Sequence, residues 1–341
     1  MTMKKTLFSL LVFAFAFQVN AQDQDPKAMQ ATAKEYTKQG DYNNAILVLN
    51  RAIEKEPNNL ELRKDLAFTY YLQRDYTRAL EQAKTFPERK DVDVQSFQIL
   101  AMIYKAIEER KETERVYRTA LKKFPESGAL YNEFGEMLAG RNDNAEAIRQ
   151  WEKGIEVDPN YSGNYFNASK FYSNTSEKIW SLLYGEIFLN LESFSRRTPE
   201  IKTLLFETYK QFFAPANISG VAAKSEFAKA YLETMKRHAD VVSSGVTPES
   251  ISAVRTKFIL DWYQKDAVRF PFRLFDMQRQ LLKEGMFEAY DQWIFGAAQD
   301  LNAFQNWTGT HAEEYNKFTT LQKSRVFKIP SGQYFNTASA R

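Results

Sequence analysis

The chain has 341 residues, 44% hydrophobic and 26% charged, with a formal net charge of +3 and no cysteine. That is ordinary globular composition with ample apolar material for a core. It excludes disulfides, thiol chemistry, cysteine-bound metals and a lipid-modified cysteine, and it offers no concentrated basic face for nucleic acid.

Residues 1–21 read as an export signal. Lys4 and Lys5 supply the charged start, Leu7 to Phe17 is mostly apolar, and Val19-Asn20-Ala21 is a small-residue cleavage site before Gln22. The apolar run is too short to span a bilayer comfortably, which favours a signal over an uncleaved anchor. No later segment is apolar enough to cross a membrane. The expected location is therefore periplasmic or envelope-associated, or secreted.

From Pro26 to Tyr161 one pattern is written four times at a spacing of 34. Tyr36, Tyr70, Tyr104 and Leu138 occupy one row, and Ala33, Ala67, Ala101 and Gly135 another. Ala45, Ala79 and Ala147 form a third row, and Ala52, Phe86, Ala120 and Gly154 a fourth. Pro57, Pro125 and Pro159 stand at breaks, and Gly40-Asp41-Tyr42 and Arg74-Asp75-Tyr76 mark turns. Small residues are needed where two helices approach closely, and the large residues between them fill the remaining space. One helical hairpin cannot bury its own apolar stripe, so neighbouring hairpins must stack.

The 34-residue period, the small residues at fixed offsets and the Gly-Asp-Tyr turn resemble the tetratricopeptide repeat (TPR) family. The implied protein is an exported envelope protein of Bacteroidetes-like type. The fold implied is all-α: an α-solenoid of TPR hairpins followed by a C-terminal helical region. After the signal, residues 22–161 hold four units, at 26–59, 60–93, 94–127 and 128–161.

Residues 162–195 keep the unit length but lose the pattern. Phe188 stands where a small residue belongs, and the stretch from Trp180 to Leu191 is apolar almost all round. A helix of that character is buried on several sides, so it reads as a junction between the array and a second helical region. Glu186 inside it is expected to pair with an Arg or Lys.

The region 196–330 remains helical. Thr198-Pro199 and Thr247-Pro248 each place a hydroxyl at the N-cap and proline at the first helical position. Gly285-Met286-Phe287-Glu288-Ala289 is like the repeat turn one residue short, making 271–301 a decayed hairpin of the same kind. The tail 331–341 is expected to be loosely held.

Chemistry is sparse. The two histidines are His238 and His311, and Thr310-x-x-Glu313 reads as a capping box around His311 rather than a metal ligand. No phosphate-cradling loop, G-x-S-x-G or dinucleotide fingerprint occurs. Trp262, Trp293 and Trp307, with Tyr263, Phe295 and Phe304, are either core or the lining of a sugar site; their helical spacing favours core. The reading is non-catalytic, with no cofactor and no metal.

In the family that the repeats resemble, the first helix of each unit lines the concave face. The positions this implies begin with Lys27, Gln30, Lys34 and Thr37, then Glu61, Lys64, Phe68 and Tyr71. Gln95, Gln98, Met102 and Lys105 follow, then Ala129, Asn132, Glu136 and Ala139. The groove expected from them comprises Lys34, Lys64, Phe68, Tyr71, Gln98, Met102, Lys105, Asn132 and Glu136, an apolar centre with a charged rim. Gln30 and Lys34 depart from the Lys/Asn clamp of chaperone-binding relatives, so the implied ligand is an extended or helical segment with an apolar residue and some acidic character. The function expected is a protein-binding scaffold of the envelope with a protein or peptide partner. The alternatives are a permanent structural component and an enzyme housed in the C-terminal helices.

Overall fold

The computed structural model describes residues 25–214 and 223–335, so the export signal lies outside the described residues. All described secondary structure is helical. The chain divides between Thr113 and Glu114 into two compact units.

The first unit contains α1 (Pro26–Lys38), α2 (Tyr42–Lys55), α3 (Leu60–Leu72), α4 (Tyr76–Ala83) and α5 (Val94–Ala106), and α6 (Arg110–Lys123) runs through the division. Helices α1 to α5 each pack on the next, and α3 also packs on α1 and on α5, the pattern of stacked hairpins. Ala33, Ala45, Ala52, Ala67, Ala79 and Ala101 are wholly buried, as the small-residue rows require.

The turns repeat as strictly as the alanines. Gly40, Arg74, Glu108 and Asn142, each 34 residues after the last, all adopt left-handed backbone. The amides of Asp41, Asp75, Glu109 and Asp143 donate to the carbonyls of Tyr36, Tyr70, Tyr104 and Leu138 at 2.9–3.0 Å. The preceding amide in each case bonds one residue later, to the carbonyl of Thr37, Tyr71, Lys105 or Ala139. This paired closure satisfies the orphan carbonyls of the first helix and aims the chain into the second. Asp41, Asp75 and Asp143 then cap the second helix by accepting from the backbone amides of Asn44, Arg78 and Glu146. Only the first turn uses glycine, so the motif is set by hydrogen bonding and not by residue identity.

One hairpin departs from the pattern for a local reason. Phe86 fills a small-residue position, and Pro87 disfavours helical backbone before it. Helix α4 accordingly stops at Ala83, and a single 3₁₀ turn, Phe86–Glu88, tucks the phenyl ring completely inside.

The second unit continues with α7 (Gly128–Ala139), α8 (Asn144–Val157), α9 (Ser162–Ser173), α10 (Lys178–Leu191) and α11 (Thr198–Phe212), stacked in the same way. Gly135 is required: a Cβ there would lie 2.3 Å from Nε1 of Trp151. Every residue of α10 from Ile179 to Asn190 is buried. Beyond lie α12 (Glu226–Arg237), α13 (Pro248–Lys265), α14 (Arg273–Lys283), α15 (Phe287–Asp291) with a π-helical turn at Gln292–Gly296, α16 (Leu301–Thr310) and α17 (Ala312–Ser324). The decayed hairpin is present in α14 and α15. Gly285 is left-handed, and the Met286 amide donates to the Leu281 carbonyl at 2.9 Å, as in the four repeat turns.

Several expectations need revision. Thr247 forms the expected cap, reciprocated by Ser250, but Thr198 lies one residue inside its helix and its hydroxyl donates to the Glu192 carbonyl. The Thr310 hydroxyl turns back to the carbonyls of Asn306 and Trp307 instead of capping α17. Residues 331–335 are also held rather than loose. The Tyr184 hydroxyl donates to the Phe335 carbonyl at 3.2 Å, and the Phe335 ring stacks on Phe227 at 4.1 Å.

Candidate functional site

The expected groove residues fall in both units, and each group is described by itself. In the first unit, α1 and α3 leave between them a cavity of about 460 Å³, with Gln95 at the start of α5 on its border. Lys34, Thr37, Asp65, Phe68 and Thr69 are among its lining residues. The cavity exists because Ala31 and Ala33 on α1 are short, while α3 presents a phenyl ring and a carboxylate one turn apart.

Phe68 is 38% exposed, unusual for a phenylalanine beside a packed core. Tyr71 stacks nearly parallel to it, with centroids 6.3 Å apart and planes 11° apart, and is itself steadied by Tyr76 at 5.7 Å. Around this aromatic pair the polar groups are ordered. Asp65 accepts from Gln30 at 2.6 Å and pairs with the exposed Lys34 at 3.3 Å. Thr37 and Thr69 share a hydrogen bond of 3.3 Å across the α1–α3 seam.

Lys64 is not part of this rim. It is 2% exposed, and its ammonium bonds Glu61 and Asp93 at 2.6 Å and Gln95 at 2.9 Å. Burial alone would depress its pKa, but the hydrogen bonds it donates to Asp93 and Glu61, with their negative charge, outweigh that and hold it above the ordinary lysine value. Lys64 is an internal tie from α3 to the N-cap of α5. The signal was available, since Glu61 stands three residues before it and Asp93 precedes the next helix.

Met102 and Gln98 are half-buried on α5, and Lys105 is exposed near its end. Thr37, Asp65, Thr69 and Gln95 are cavity residues absent from the expected groove set. Thr37 and Gln95 did fall on the implied face, but Asp65 and Thr69 lie off the positions counted.

In the second unit, Asn132 and Glu136 hold each other. The Asn132 amide donates to Glu136 at 2.9 Å, and Asn167 on α9 donates to both, at 2.9 and 3.0 Å. Asn132 is buried, so this trio binds one hairpin to the next; Glu136 remains exposed.

Two models of the family described as "Tetratricopeptide repeat" match, over residues 36–103 and 103–164. Residues 36–164 are tetratricopeptide repeats. The matches join at residue 103, and the four left-handed turns found at 40, 74, 108 and 142 all fall within them. No curated protein matches the chain. Among solved structures, a thermophilic TPR protein of Thermus thermophilus is 15% identical, covering 54% of this chain and 98% of its own at a TM-score of 0.42. MamA from Desulfovibrio magneticus is 14% identical, covering 49% and 95% at 0.39. YrrB, described as a TPR protein with an unusual peptide-binding site, is 16% identical, covering 50% and 87% at 0.36.

Outside the repeats, the densest polar cluster surrounds Arg255 on α13. Its guanidinium bonds Glu186 of α10 and Asp291 of α15, and all three side chains are buried. Glu186 also accepts from Gln278 at 2.6 Å and from the Tyr290 hydroxyl at 2.8 Å. Burial raises the Asp291 carboxyl to about 7, with Arg255 opposing and Glu186 reinforcing the shift. Glu186 thus has the arginine partner expected of it. The network is enclosed, with one oxygen of Asp291 left without a hydrogen-bond partner, and it braces the junction helix. Trp262 and Phe295 are core and Trp293 nearly so, whereas Trp307 is half-buried and stacks on His311 at 4.3 Å. Among the described residues no group of three or more His, Asp and Glu side chains is placed to hold a metal, and no helix is long and apolar enough to cross a membrane.

Proposed function

We propose that this TPR protein is a non-catalytic scaffold of the cell envelope that holds a partner segment in the α1–α3 cavity. The observation that carries the reading is the exposed Phe68, stacked on Tyr71 at the edge of a cavity of about 460 Å³ and flanked by hydrogen-bonding side chains. TPR arrays are scaffolds for protein and peptide partners, and an aromatic anchor with a polar surround is how such surfaces concentrate their energy. The groove set is narrower than the sequence implied: Lys34, Phe68 and Tyr71, joined by Thr37, Asp65 and Gln95. With Lys64 internal and Lys34 paired to Asp65, an apolar side chain and main-chain hydrogen bonds matter more than acidic character in the ligand. The charged start of residues 1–21 and the cleavage site at Ala21 support the envelope location.

Site-specific photo-crosslinking in the native host tests this. A crosslinker at Phe68 is compared with one at Leu47, which is 49% exposed on α2 of the same unit. One stoichiometric adduct from position 68 and none from 47 is the expected result. Equal adducts from both, or none from 68, would remove the groove.

A further inference from the structure

The segment after α17 crosses the second unit in a manner that the repeats do not explain. From Arg325 to Phe335 it forms no helix, and its burial alternates: Phe327 and Ile329 are 5% and 3% exposed, while Val326, Lys328 and Pro330 face solvent. A two-residue alternation is that of an extended chain with one face in a groove.

The groove holds the segment by its main chain. Asn160, in the connection between α8 and α9, donates its side-chain amide to the Ile329 carbonyl at 3.0 Å and accepts from the Ile329 amide at 2.9 Å. One carboxamide thus satisfies both backbone groups of one residue, which reads an extended backbone irrespective of its side chain. Further on, the Tyr184 hydroxyl donates to the Phe335 carbonyl at 3.2 Å, and Phe335 lies flat on Phe227 with its edge toward Phe272. Main-chain bonds for affinity, with pockets for alternate side chains for specificity, are the construction of a peptide site.

We propose that this surface is a second peptide-binding groove, separate from the α1–α3 cavity, occupied in cis by residues 325–335 and able to exchange them for an extended segment of the same pattern in trans. The partner it fits carries two apolar side chains separated by one residue, a proline directly after the second, and an aromatic residue five positions beyond the proline, as Phe327, Ile329, Pro330 and Phe335 are arranged here. A segment outside any helix and held on one face belongs to the less stable part of a fold, which makes exchange accessible. The covalent tether gives the cis segment an effective concentration in the millimolar range, so a trans segment of equal intrinsic affinity binds only when the tether is cut or the cis contacts are weakened.

The experiment uses the full chain with a protease recognition sequence inserted after Ser324. After cleavage, a fluorescent peptide of residues 325–335 is titrated and its anisotropy followed, with far-UV circular dichroism as the check on folding. The nicked chain should bind the peptide saturably, and the intact chain about a hundredfold more weakly because the tethered segment competes. A peptide carrying Phe327→Ala with Ile329→Ala, or a nicked chain carrying Asn160→Ala, should bind at least about tenfold more weakly. Asn160 is exposed, so its loss removes the grip without opening the core. If the nicked chain keeps its own fragment against a large excess of labelled peptide, or unfolds and is not restored by it, the segment is a fixed part of the core and the proposal falls.

Discussion

The TPR repeats and the helices that follow them solve one packing problem by different means. In residues 26–161 a short code recurs: an alanine or glycine where helices touch, an aromatic or leucine at the end of the first helix, a left-handed turn, an aspartate cap. In the later helices the space is filled by aromatic rings at irregular spacing and by a buried ionic network. Phe227 alone meets Trp180, Trp262, Phe270, Phe272, Phe275 and Phe335. The difference teaches where tolerance lies. A repeat interface is local, so each error is confined to one hairpin, whereas Arg255 gathers α10, α13 and α15 at a single point.

The largest expected effect breaks that point. Arg255→Met leaves Glu186 and Asp291 buried without their cation, and removing one partner of a buried ion pair costs about 3–5 kcal/mol. Urea unfolding measures it, and a loss below about 1 kcal/mol would mean that the network does not brace the helices. Trp180→Ala, between Tyr184 and Phe227 on the same junction helix, should cost a similar amount by the cavity it leaves, about 3–5 kcal/mol.

In the repeats the matching experiment is Gly135→Ala. The added methyl meets the Trp151 ring, and overpacking of this kind costs about 1–3 kcal/mol. Full tolerance of alanine would show that the small-residue rows are not contact positions.

The pH dependence separates the two regions again. The folded state holds the Asp291 proton more tightly than the unfolded chain does, since its carboxyl is raised from 3.8 to about 7. Its contribution to stability is therefore greatest at low pH, falls as the pH rises between those values, and is constant above them. Asp291→Asn should flatten that slope in a series of melts at fixed ionic strength. An unchanged slope would place the titrating group elsewhere.

The smallest effect sharpens the repeat side. Arg74 and Glu108 occupy left-handed backbone that costs a side chain about 1 kcal/mol. Each change to glycine should stabilise the protein by about 0.5–1 kcal/mol, with the gain read in the melting of the full chain.

How much of this was legible in the sequence follows the same division. The hairpins, their period and the buried alanines were readable because each unit restates the constraint of the last. The decayed hairpin at Gly285 was readable for that reason also. Lys64 was misread because its place on the helix face was weighed above its acidic neighbours, Glu61 three residues before it and Asp93 29 residues on. Asp65 and Thr69 were missed because the cavity arises from what α1 lacks beside them. Glu186 was expected to find a cation, yet nothing local pointed to Arg255, 69 residues away, or to Asp291 as the second acid. The grip of Asn160 on Ile329 spans 169 residues and leaves no periodic trace.

The central claim is that the α1–α3 groove, with Phe68 as its anchor, holds the partner segment. Its most direct test is Phe68→Ala, comparing the affinity for the segment captured at position 68 with the thermal stability of the same variant. The account predicts a loss of about 2 kcal/mol or more in binding, the scale of an aromatic anchor, with a melting temperature within a few degrees of the parent. A large fall in melting temperature with affinity retained would return Phe68 to the core and contradict it.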